Sequence, residues 1–215
     1  MLIGHLGAAL VARRVEPAVP LWVALLAAFW LDLIWPILLL AGVERVEVHP
    51  GDTAFTNLAF VHYPWTHGVI AVLGWSVLVA MLTRRFGLGP RAALMTGALV
   101  ASHWVLDAIV HRPDLPLWNG GPLVGLGVWN SRGATFVLEG GLLLGAVWAH
   151  QRGFRFTTRA GVIAFMALLL LFLAMWVSQP WAPPPPSATA VAWSALALWL
   201  LGPWGRYLDR RLVAR

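Results

Sequence analysis

Six separate apolar stretches, each close to the thickness of a bilayer core, constrain this chain more than any other feature. They run from about Pro20 to Gly42, His67 to Leu82, Pro90 to His111, Ala134 to Trp148, Ala160 to Val177 and Ala188 to Gly202. A helix needs ~20 residues to cross ~30 Å of hydrocarbon. The expected fold is therefore all-α, a polytopic transmembrane helix bundle of six full spans plus a short N-terminal partial or re-entrant helix. That short helix, Leu2 to Val11, reaches only about half-way across at ~1.5 Å per residue. A cleaved signal peptide fits it poorly, because the basic pair Arg13-Arg14 follows the apolar run instead of preceding it.

Charge agrees with this reading. Only 11% of residues are charged, against roughly 25% in a soluble domain, so lipid must solvate much of the surface. The 215 residues leave no room for a second folded domain, and residues 1–215 are read as one transmembrane helical domain. Cysteine is absent, which excludes disulfides, thiolate nucleophiles and zinc–sulfur sites.

All 15 basic residues are arginines, and their positions set the expected topology. Arg13 and Arg14, then Arg84, Arg85 and Arg91, then Arg152, Arg155 and Arg159, then Arg206, Arg210, Arg211 and Arg215 fall at alternate helix ends. The positive-inside rule puts those ends and the C-terminus in the cytoplasm. The opposite loops hold only Arg45, Arg112 and Arg132 beside Glu44, Glu47, Asp52 and Asp114. Two long loops, Val43–Thr66 and Arg112–Gly133, then face outward, and the third outer loop carries the stiff run Pro183–Pro186. The net charge of +6 reflects topology, and no nucleic-acid partner is expected.

Ionisable residues inside spans cost roughly 2.5–3.5 kcal/mol each on insertion scales and suggest function. This chain has His5, Asp32, His67, His103, Asp107 and Glu139. Counted from the arginine-rich ends, Asp32, His103 and Glu139 share one depth, roughly 18–20 Å up at helical rise; His5 lies somewhat deeper, and Asp107 and His67 one to two turns further out. His103, Asp107 and His111 follow i, i+4, i+8 along one helix face. Asp32 precedes Pro36 by four residues, so a kink and a free backbone acceptor are expected beside its carboxylate. In His62-Tyr63-Pro64-Trp65-Thr66-His67, the second histidine starts a helix, where the dipole favours a neutral ring able to bind metal. Nitrogen and carboxylate donors without sulfur suit zinc, manganese or iron.

Plainer readings exist for each residue. His103 with Asp107 can be a hydrogen-bonded pair that pins helices, and Asp32 a protonated carboxyl or a partner of His5. Glu139 can bond a neighbouring helix. His62 and His111 sit at the outer interface, His49 and His150 are loop or interface residues, and the 14 tryptophans are mainly interfacial anchors.

At Gly4-His5, Leu31-Asp32-Leu33-Ile34-Trp35-Pro36, Tyr63-Pro64-Trp65-Thr66-His67, Ser102-His103-Trp104-Val105-Leu106-Asp107, His111-Arg112-Pro113-Asp114-Leu115-Pro116 and Gly127-Val128-Trp129-Asn130-Ser131, the chain resembles the membrane-bound metal-dependent hydrolase-like family of inner-membrane proteins, which includes the group described as LexA-binding. The likeness covers a core of residues 4–150 and leaves a C-terminal two-helix extension, 158–215, unmatched. It implies that His67, His103 and Asp107 ligate a metal, with Asp32 and His5 as additions. One departure is visible: the family tends toward His-Arg-x-x-Thr-His-Ser, and this chain has Tyr63 and Gly68 at the arginine and serine positions, removing a phosphate contact.

The expectation is a membrane-embedded metal-dependent hydrolase of a prokaryotic cytoplasmic membrane. A divalent cation, zinc first and manganese or iron next, is held by His67, His103, Asp107 and Asp32, with His62 and His111 as possible additions. It lowers the pKa of a bound water, with Glu139 or His5 accepting the proton. The site opens to the extracytoplasmic side and meets an ester in a lipid or lipid-linked substrate. The runner-up is an ion or proton transporter, and the third reading is a non-catalytic membrane scaffold.

Overall fold

A computed structural model describes residues 1–215. Ten α-helices account for most of the chain: α1 (Leu2–Val15), α2 (Leu21–Ala28), α3 (Trp30–Leu40), α4 (Pro64–His67), α5 (Val69–Arg85), α6 (Pro90–Val110), α7 (Arg132–Gly153), α8 (Arg159–Ser178), α9 (Ala188–Ala195) and α10 (Leu201–Asp209). A 3-10 stretch, Leu196–Leu200, joins the last two into one rod. Three two-stranded antiparallel ribbons close the ends: β1 (Arg45–Val48) with β2 (Leu58–His62), β3 (Leu115–Pro116) with β4 (Leu123–Val124), and β5 (Phe154–Phe156) with β6 (Leu212–Ala214). The all-α reading holds.

The span count differs from the sequence expectation. Four helices are long and apolar enough to cross a membrane, Pro90–Val110, Arg132–Gly153, Arg159–Trp181 and Ala188–Asp209, and a fifth span exists if α2 and α3 are taken together. The remaining expected span, α5, has 17 residues, at the short end of the range of about 17–25 that crosses a membrane. The stretch Pro20–Gly42 is a pair of helices bent by 50°. The bend sits at Phe29, with φ −100° and ψ 10°, and α3 continues through Pro36. The kink expected beside Pro36 thus lies one turn ahead of Asp32 instead of after it.

The N-terminal helix also departs from expectation. α1 runs four residues past Val11, since Arg13 and Arg14 are good helix formers and the Arg13 guanidinium lies over the Phe154 ring, 4.8 Å from its centroid. It is the axis of the bundle. Ile3, Leu6, Ala9 and Leu10 are fully buried, and α1 packs along α7 and against α2, α6 and α8. These residues join Leu25, Phe29, Phe165 and Leu168 in one continuous apolar core.

Small residues set the closest helix approaches, as expected where lipid removes the usual drive for apolar burial. A Cβ on Gly97 would lie 2.9 Å from the Ser76 carbonyl oxygen, which fixes the α5–α6 seam. A Cβ on Gly205 would lie 2.6 Å from Trp22 Cα, which fixes α10 on α2. The C-terminal extension is tied down further by Asp209, whose carboxylate accepts from Leu21 N (2.9 Å) and Trp22 N (3.0 Å) at the free start of α2.

Candidate metal centre

Three helices and one corner bring the polar layer together. His103 and Asp107 lie one turn apart on α6, Asp32 sits in the first turn of α3, His5 on α1, and His67 ends the one-turn helix α4. α5 begins two residues later, so His67 precedes that helix instead of starting it. The corner is tight. A Cβ on Gly68 would fall inside van der Waals contact with the Pro64 carbonyl oxygen, so a side chain has no room here.

His67 Nε2 lies 3.7 Å from Asp32 Oδ1 and 3.7 Å from Asp107 Oδ2. His103 Nε2 lies 3.6 Å from Asp32 Oδ1 and 3.1 Å from Asp107 Oδ2. A tetrahedron with ligand bonds of 2.0–2.1 Å has edges of about 3.3 Å, and these four spacings bracket that length. His5 Nε2 is 3.1 Å from the other oxygen, Asp107 Oδ1, and its ring stacks on that of His103 with centroids 3.6 Å apart. The Met1 amino nitrogen also donates to Asp107 Oδ1, at 2.7 Å, which leaves Oδ2 to face His67 and His103.

The tautomers decide what these rings present. His103 Nδ1 is 2.7 Å from the Ala28 carbonyl oxygen, so it carries the proton and donates. That carbonyl stands where the bend between α2 and α3 interrupts the helix. His103 Nε2 then points into the site. It is buried, has no hydrogen-bond partner, and faces two carboxylates. His67 is oriented by a chain of contacts from the loop. Glu44 accepts from Trp65 N (2.9 Å), Thr66 N (2.8 Å) and the Thr66 hydroxyl (2.7 Å). With its proton committed to Glu44, Thr66 Oγ1 accepts from His67 Nδ1 at 2.7 Å. His67 Nε2 also turns inward. Burial raises the Glu44 carboxyl above its ordinary value, opposed by the hydrogen bonds from Thr66 and Trp65.

Two imidazole nitrogens and two carboxylates converge on one small volume, with the Met1 ammonium bound to the outer oxygen of Asp107. The arrangement has the donor set, spacing and outer hydrogen bonds of a divalent-cation site. His5, His103 and Asp107 form one possible ligating group and Asp32, His67 and His103 another, and they share His103. The residues present fit a metal.

The other expected residues fall around this centre. Glu139, on α7, is buried, with Oε1 accepting from Trp129 Nε1 at 3.0 Å and Oε2 without a partner. His5 belongs with the ligating atoms, beside its expected role as proton acceptor. His111 faces the same cleft but bonds Asp114 Oδ1 through Nδ1 (2.9 Å) and stacks near Trp129. His62 lines a separate outer pocket of about 240 Å³ with Tyr63, Asp114 and Trp118. Neither joins a ligating group. His150 is fully buried between Phe154 and Phe165. Glu44 and Thr66 were missed as functional residues. The only trace in the sequence is Thr66 beside His67, since Glu44 lies 21 positions upstream of Trp65.

The centre opens into a cleft of about 580 Å³, lined mostly by apolar residues. Asp32 is its door. That side chain is 26% exposed, against 3% for Asp107 and 5% for His67. No family model, curated protein or solved structure matches the chain.

Proposed function

We propose that this protein is a membrane-embedded metal-dependent hydrolase of the family it resembles in sequence. Its site lies within a bundle of six membrane-crossing elements in a prokaryotic cytoplasmic membrane, with the C-terminus inside and the site opening to the extracytoplasmic side. The observation that carries this reading is the set His67 Nε2, His103 Nε2, Asp32 Oδ1 and Asp107 Oδ2, with contacts of 3.1–3.7 Å and both Nε2 atoms turned inward. These four residues hold the cation, with zinc favoured by the nitrogen–oxygen donor set and manganese or iron as alternatives, and His5 stands at its edge.

A divalent cation supplies Lewis-acid polarisation of an ester oxygen and activation of water. The chain's own groups do the rest. Glu139 Oε2, which has no hydrogen-bond partner, accepts the proton of the attacking water, with His5 as the second candidate. Water oxygen bonds to the carbonyl or phosphoryl centre, the ester bond to the alcohol oxygen breaks, and the alcohol leaves with a proton. The substrate is an ester within a lipid or a lipid-linked molecule, because the cleft beside Asp32 is apolar and lies among membrane helices.

Elemental analysis of detergent-purified protein tests the site. About one equivalent of metal is expected in the parent, with a loss of at least about tenfold in affinity in Asp32→Ala and His103→Ala. Absence of metal from all three proteins would discard the hydrolase and favour a scaffold with structural polar pairs. Metal flux through reconstituted protein would favour a transporter.

A further inference from the structure

The extension beyond the family-like core has its own place in the site. α8 leans on α1 and α10, α9 packs on α3, and α10 packs on α2, but α8 and α9 form no packed seam with each other. The space between them is the 580 Å³ cleft. Leu171 and Met175 of α8 line one wall, and Val191, Ala195 and Leu198 line the other. The floor carries Asp32, His67 and Asp107.

We infer that this cleft seats one aliphatic chain of a membrane lipid, holding the lipid's ester against the cation site. The inference rests on the hydrolase reading for the ester and on the cleft alone for the chain. Its lining joins the ionisable groups Asp32, His67, Asp107 and His111 to a mostly apolar remainder, a combination that matches a polar head on an apolar tail. The two walls belong to two membrane-length helices, Arg159–Trp181 and Ala188–Asp209, so the gap between them faces the bilayer, where lipid chains are the solvent. The volume suits one chain. At roughly 30 Å³ per water-sized group it takes about twenty heavy groups, and it lies within the ~300–1,000 Å³ range of small-molecule sites. A second protein helix would need far more width, since a helix with side chains is ~10 Å across.

The test uses full-length protein in nanodiscs containing a phosphatidylcholine with a diazirine on its acyl chain. After irradiation, adducts are mapped by peptide mass spectrometry. Labelling is expected on Leu171, Met175, Ala195 and Leu198. It is expected to fall roughly tenfold in Ala195→Trp and in Val191→Phe, which fill the cleft. Ile163 and Leu170, which are exposed on α8 and outside the cleft, serve as the annular control and should label equally in all proteins. Adducts confined to Ile163 and Leu170, or cleft labelling unchanged in both variants, would overturn the chain site. Metal content is read on the same samples. Cleft labelling in a metal-free parent sinks the hydrolase and leaves the chain site standing, whereas a metal-loaded parent without cleft labelling does the reverse. Retained metal in the two cleft variants shows that they have folded.

Discussion

Replacing Thr66 by valine removes one hydroxyl and nothing else of substance, and it isolates the orientation of His67 from its ligation. The hydroxyl joins two contacts of 2.7 Å, one to Glu44 Oε2 and one from His67 Nδ1. Glu44 keeps its two backbone donors, Trp65 N and Thr66 N, so the loop corner stays anchored. The imidazole loses its only partner at Nδ1. A buried donor left unpaired costs about 1–3 kcal/mol, and the ring relieves that cost by turning, which moves Nε2 off Asp32 and Asp107. Loss of such an outer partner lowers metal affinity about 10–100-fold. The assay is zinc competition against a fluorescent chelator in detergent, with His67→Ala as the limit of full ligand loss and a thermal melt to establish folding. Thr66→Val should fall between parent and His67→Ala. Affinity within about twofold of the parent, a difference below ~0.5 kcal/mol, would refute the idea that Thr66 sets the ring.

Two further outcomes follow from the same geometry. Gly68→Ala should weaken zinc binding by at least about tenfold, because the new Cβ meets the Pro64 carbonyl oxygen and the corner can relieve that only by moving His67; unchanged affinity with an intact melt would contradict the close approach. Because the chain contains no cysteine, single-cysteine labelling in cells reads topology directly. His49→Cys, on an outer loop, should react with an impermeant maleimide, and Arg155→Cys, on the arginine-rich side, only after permeabilisation; the opposite pattern would invert the assigned orientation.

Much of the centre was legible because its parts obey short rules. His103 and Asp107 meet through i, i+4 spacing on α6, and Asp32 and His67 stood out as ionisable groups in apolar stretches. In the structure Asp32 and His67 group with His103, and Asp107 groups with His103 and His5. Other parts were hidden for identifiable reasons. Glu44 reaches Thr66 only through the folding of the β1–β2 ribbon, which no local pattern encodes. Ala28 contributes a carbonyl, and nothing in an alanine advertises its backbone. Hydropathy registers apolar length without registering bends or exact helix ends. Pro20–Gly42 folds as two helices bent by 50°, and the stretch read as His67–Leu82 folds as α5, Val69–Arg85. Pro36 signalled a break in the right helix but on the wrong side of Asp32. The cleft was the least legible feature, since it arises from two apolar helices, α8 and α9, that form no packed seam.

The bend at Phe29 has a consequence for anyone mapping this protein by substitution. The group that fixes the tautomer of His103 is a peptide oxygen, so exchanging the side chain of Ala28 leaves it in place. A scan of single replacements would therefore pass over one of the determinants of the centre. Only a change in the path of the main chain, such as straightening α2 into α3, would take that acceptor away and let the imidazole turn over.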